Sequence, residues 1–154
     1  MKPLFQNRKD LNKNIQEWGC YFIDLLNIYQ DETEYQLTDE IVNAIYVMSS
    51  RIKNFAGKLY LEKDCYVNDI EGIAQIVSGL TNVPLMMKLV KPYEEFTHTI
   101  GCFVRFTSSG KRVVHFVELY NNSNSVKHDP WMGGSRTARE GILKDKRFIN
   151  TRRL

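Results

Sequence analysis

Four residues of this 154-residue chain have types and spacing that could do chemistry together: Gln16, Cys20, His115 and Asp129. Trp18, Tyr21, Phe22, Leu25, Leu26 and Tyr29 recur at helical intervals, so a helix is predicted from about residue 17 to 30, with Cys20 in its first turn. A thiol there meets the positive end of the helix dipole and unpaired backbone N–H groups, which favour the nucleophilic thiolate. Gly19 before it would let a substrate backbone come close. The plainer reading is a buried cysteine on an apolar stripe, since cysteine is among the most buried residue types.

His115 lies within Arg112-Val113-Val114-His115-Phe116-Val117-Glu118-Leu119, where alternation puts Val113, His115, Val117 and Leu119 on one strand face. A histidine on an apolar face needs a partner for its ring, and Asp129, in the next predicted strand, can sit beside it on an antiparallel pair. The carboxylate would fix the tautomer and stabilise the imidazolium. A satisfied core His–Asp pair is the alternative. Gln16, four residues before the thiol, could donate its amide to the oxyanion of a tetrahedral intermediate beside the Cys20 N–H.

Gln16 and Cys20 opening a helix, His115-Phe116-Val117, a polar turn, and Asp129-Pro130-Trp131 before Met132-Gly133-Gly134-Ser135 resemble the papain-like cysteine peptidases, most nearly the bacteriocin-processing, double-glycine branch. The resemblance implies a papain-like α+β fold. It further implies Cys20 as nucleophile, His115 as general base, Asp129 as its orienter and Gln16 in the oxyanion hole. The activity implied is cleavage of an amide or isopeptide bond in a protein or peptide, and the same trio also serves acyl transfer. The Gly-Cys helix start is also similar to that of small phage- and plasmid-borne proteins, a likeness that implies no activity. The rival class is a papain-like shell used as a binding module, encoded by a phage or mobile element and engaging a host protein.

The elements needed to position these residues can be read from the pattern. Ile41, Val42, Ile45, Tyr46 and Ile52 predict a second helix behind Thr38 and Asp39, and Ile70, Ile73, Ala74, Val77 and Leu80 a third behind Asn68 and Asp69. From Val83 onward the period becomes that of strands: Val83 to Val90, Ile100 to Phe106, Arg112 to Tyr120, Ser125 to Trp131, and a short edge strand over Arg147 to Ile149. N-terminal helices packed on a C-terminal antiparallel sheet make an α+β domain, and without repeats or linkers residues 1–154 read as one domain.

Composition narrows the classes. Hydrophobic residues make up 43% and charged residues 25%, against disorder. No apolar run reaches the roughly 18–20 residues a membrane helix needs, and the N-terminus has no secretory signal pattern. Cys20, Cys65 and Cys102 are odd in number and widely spaced, so no disulfide framework is expected and a reducing cytoplasm is the expected setting. Cys65 and Cys102 read as small packing groups. The net charge of +3 is too mild to argue for nucleic acid; the basic residues Lys144, Lys146, Arg147, Arg152 and Arg153 read as a solvated chain end. His98 reads as a loop residue and His128 as a surface one. No histidine or cysteine spacing supports zinc, and Gly133, Gly134 and Gly141 match no phosphate loop, so neither metal nor cofactor is expected.

Overall fold

Gly19 divides the first predicted helix in two. A computed structural model describing residues 1–154 shows a short α1, Lys13–Trp18, and then α2, Cys20–Thr33. The Gly19 N–H still bonds the Ile15 carbonyl at 2.8 Å, but an added Cβ at Gly19 would lie 2.4 Å from that oxygen. This tight approach to Ile15 is a packing reason for glycine at the junction. Every residue of α2 from Cys20 to Gln30 is buried, so it is the central helix of the domain. It stops where Glu34 turns into the left-handed region at φ 58°.

Helix α3, Asp39–Ser49, starts under the Thr38 cap, whose hydroxyl accepts from the Ile41 N–H at 3.2 Å. Helix α4, Ile70–Thr81, starts under Asp69, whose Oδ1 accepts from the Gly72 N–H at 2.8 Å. Both starts follow the capping pattern of the sequence.

Five antiparallel strands follow: β1 Leu85–Val90, β2 His98–Phe106, β3 Arg112–Leu119, β4 Val126–His128 and, after the short helix α5 Arg136–Glu140, β5 Ile142–Arg153. Their order in the sheet is β1-β5-β2-β3-β4. The expected edge strand over 147–149 is instead a 12-residue strand between β1 and β2, pairing Leu89 with Ile149 on one side and Ile100 with Arg147 on the other. The basic residues read as a chain end therefore belong to an interior strand. Strand β4 is shorter than expected because the chain turns away at Asp129, whose carboxylate accepts the N–H groups of Trp131 and Ser135. Helix α5 was not expected; Ser135 caps it at the Ala138 N–H.

The sheet has two covered faces. Ile100 and Ile149 join the large core with α2, α3 and α4, while Phe103, Val117 and Leu119 form a second cluster against Ala138 of α5 and Leu143. The result is a mixed α+β architecture. No helix is long and apolar enough to cross a membrane.

Candidate functional site

His115 and Asp129 meet. The ring Nε2 lies 2.7 Å from Asp129 Oδ1, with both side chains largely buried. Asp129 also accepts the Trp131 N–H at 2.9 Å and the Ser135 N–H at 2.8 Å. Burial alone would raise its pKa, but the His115 bond and the two backbone donors outweigh burial and hold it down to about 2. An ionised Asp129 accepts a hydrogen bond from Nε2–H, so Nδ1 is left as the acceptor nitrogen, and no protein group bonds it.

Cys20 opens α2 and is buried, with its sulfur beside the backbone N–H of Phe116, the residue after His115 on β3. Its own N–H and that of Tyr21 lie beside it as well. These donors are the helix-start groups expected to favour a thiolate, yet the thiol is pushed up to about 12. Burial is the main cause and the carboxyl of Asp24, one turn further along α2, adds to it. Desolvation outweighs the dipole. No hydrogen bond joins the thiol to the imidazole. The pleat of β3 turns Phe116 toward Tyr21 of α2, their rings 5.0 Å apart, whereas His115 has the parity of Val117 and Leu119 on the α5 side.

Gln16 is not beside the thiol chemistry. Its amide nitrogen donates to the carbonyls of Leu11 at 2.7 Å and Lys9 at 3.3 Å, tying the N-terminal loop to α1. An oxyanion near Cys20 would meet the backbone N–H groups of Cys20 and Tyr21 instead. A different glutamine, Gln6, is buried near this region. Its amide donates to the Gln16 carbonyl at 3.1 Å, its backbone N–H donates to Pro130, and its Oε1 has no partner. It sits in irregular chain, where no sequence pattern singles out one glutamine.

A buried carboxylate group lies behind the thiol. Asp24 is fully buried with both oxygens unpartnered, and burial, with Glu118 and Asp129 nearby, raises its pKa well above the usual carboxylate range. Glu118 is buried too; its Oε2 meets His98 Nδ1 at 3.1 Å and Lys127 Nζ at 3.5 Å. His98 is therefore no loop histidine: it opens β2 and holds Glu118 on one nitrogen and Glu32, at 2.6 Å, on the other. Alternation on α2 gave no hint of Asp24, because a helix buried all round has no polar face. His128 packs on Phe5 and bonds the Leu4 carbonyl.

Cys20 lines a cleft of about 760 Å³ together with Tyr21, Phe116 and Arg147, bounded on the far side by residues 64–71. That volume falls in the range of ligand sites. Cys65 opens onto the same cleft, and all three cysteines are free thiols. No family model matches this chain, and neither does any curated protein or solved structure.

Proposed function

We propose that this chain is a papain-like cysteine hydrolase that cleaves an amide or isopeptide bond in a protein or peptide. The observation that carries the reading is the His115–Asp129 bond: it commits Nε2 to a carboxylate fixed by three donors and leaves Nδ1 as a base on the strand that the Cys20 sulfur abuts. In this reading a substrate carbonyl enters the cleft beside Cys20. For this the His115 ring, which lies on the α5 face of β3, must turn to the α2 face, where Nδ1 takes the thiol proton as sulfur attacks; the oxyanion is met by the N–H groups of Cys20 and Tyr21. The imidazolium, stabilised by Asp129, returns the proton to the leaving amine, giving a thioester. Water then releases the acid, with His115 again the base; an amine acceptor would make the reaction acyl transfer. Gln16 takes no part in this scheme. Three free thiols suit a reducing, cytoplasmic setting.

A second reading is favoured by the Cys20 thiol at about 12 and the missing thiol–imidazole hydrogen bond. It keeps the papain-like shell but makes it a binding module of a phage or mobile element, with a host protein in the cleft.

The two separate on the pH profile of iodoacetamide modification at Cys20, read by peptide mapping in the unsubstituted chain, His115→Ala and Asp129→Asn. Labelling at neutral pH that outpaces Cys65 and Cys102, and slows in both variants, supports the hydrolase. An ordinary or sluggish thiol profile unchanged by either substitution rejects it in favour of the binding module. Melting curves identify a variant that has lost its fold.

A further inference from the structure

Arg147 reaches out of β5 into the cleft beside Cys20, and its guanidinium carbon lies 5.2 Å from the Tyr21 ring centre and 4.9 Å from that of Phe116. Two aromatic faces hold the planar group in place, a geometry that suits arginine and not lysine. What the stack lacks is an anion. Arg147 is half-buried, yet no carboxylate lies within ion-pair distance of it. Asp145, two residues away on the same strand, instead has its Oδ1 on the Lys146 N–H at 2.8 Å.

The cleft walls are oppositely charged. Lys111 and Arg112, at the start of β3, continue the basic wall from Arg147. Glu17, Asp64 and Glu71 line the other side. A ligand carboxylate is therefore drawn to the sheet side and repelled from the helix side. The open edge of β3 lies along the same wall. β4 pairs with β3 only at Glu118 and Leu119, so residues 112–117 have no strand on that side, and Phe116 N–H meets Cys20 there.

We infer that the cleft takes an extended peptide bearing a carboxylate, and that Arg147 is the residue that selects it by pairing with that carboxylate next to Cys20. The inference rests on reading the cleft as the peptide side of the proposed site, and it concerns binding rather than turnover. The guanidinium supplies two parallel N–H donors to the carboxylate, and the rings beneath it limit the reorganisation needed. The carboxylate belongs either to an Asp or Glu side chain or to a peptide C-terminus.

The test uses the full chain carrying Cys20→Ala, so that nothing is turned over, and fluorescence anisotropy with three labelled apolar octapeptides. One has a central glutamate and an amidated end, one a central glutamine and an amidated end, and one a central glutamine and a free carboxylate end. Tighter binding of a carboxylate peptide than of the neutral one, by about tenfold, is expected, and whichever peptide shows it identifies the source. Arg147→Gln should erase the difference with the melting temperature little changed, while Arg147→Lys should keep a reduced one. Equal binding of all three peptides, no binding of any, or a preference that survives Arg147→Gln overturns the inference. Cleavage by the chain with Cys20 intact is scored apart. Cleavage without carboxylate preference keeps the hydrolase and rejects the role of Arg147; preference without cleavage does the reverse.

Discussion

Asp129 accepts the Nε2–H of His115 across a gap of 14 residues, at 2.7 Å, and the same carboxylate starts the turn that ends β4. One side chain thus sets both the tautomer of the ring and the direction of the chain behind it. A bond of this kind links the candidate chemistry to the stability of the fold.

The acid limb of stability should report that bond. The folded pKa of Asp129, about 2, lies below its value of about 3.9 in an unfolded chain. Its contribution is therefore present above about pH 4 and lost as pH falls toward 2. Urea unfolding of the unsubstituted chain and of Asp129→Asn should differ by about 1–2 kcal/mol at pH 6 and converge near pH 2. A constant difference across that window would mean the ionised bond is not the cause.

Asp24 has the opposite sign. Its carboxyl is buried without partners and its folded pKa is raised, so the folded state is penalised as pH climbs from the unfolded value toward the folded one. Asp24→Asn should raise the melting temperature at pH 8 and change it less at pH 5, with a gain of about 1–2 kcal/mol at the higher pH. The same substitution removes a charge that holds the Cys20 thiol up, so iodoacetamide should label Cys20 at lower pH. Thermal melts and peptide mapping check the two halves separately.

His98 opposes burial with two carboxylates. Burial would lower its pKa, but the hydrogen bonds and charges of Glu118 and Glu32 prevail and raise it. Its contribution is fully present below about pH 6.5, the unfolded value, and is lost as pH rises through the raised folded value. His98→Gln should cost about 1–3 kcal/mol at pH 6 and less at pH 9, read from urea midpoints. A cost that grows with pH would contradict the assignment.

The junction before the thiol is a steric test. A Cβ at Gly19 would stand 2.4 Å from the Ile15 carbonyl oxygen and 2.8 Å from Ile15 Cγ2. Gly19→Ala should destabilise the chain by about 1–3 kcal/mol and alter Cys20 labelling, because the strain falls at the start of α2. Gly79→Ala, in open space on α4, is the control and should leave Cys20 labelling alone.

Local patterns in the sequence carry much of this architecture. The caps at Thr38 and Asp69, the apolar spacing of α2 to α4, and the β2–β3 hairpin each depend on residues a few positions apart, so they are legible before any packing is known. The His115–Asp129 pair was legible for the same reason: a strand, a polar turn and a returning strand place them side by side. Tertiary structure decided the rest. β5 becomes an interior strand through partners that lie some 38 to 68 residues away, a distance no periodicity records. That placement moves Arg147 from an expected chain end into the cleft. The amide of Gln16, four residues from the thiol in sequence, goes to the Leu11 carbonyl, because a neighbouring loop supplies a nearer acceptor. The state of Cys20 is the sharpest case. Its place at a helix start is written in the sequence and favours the thiolate, but α2 lies under the sheet with Asp24 beside it, and the desolvation of that buried position outweighs the field of the helix end.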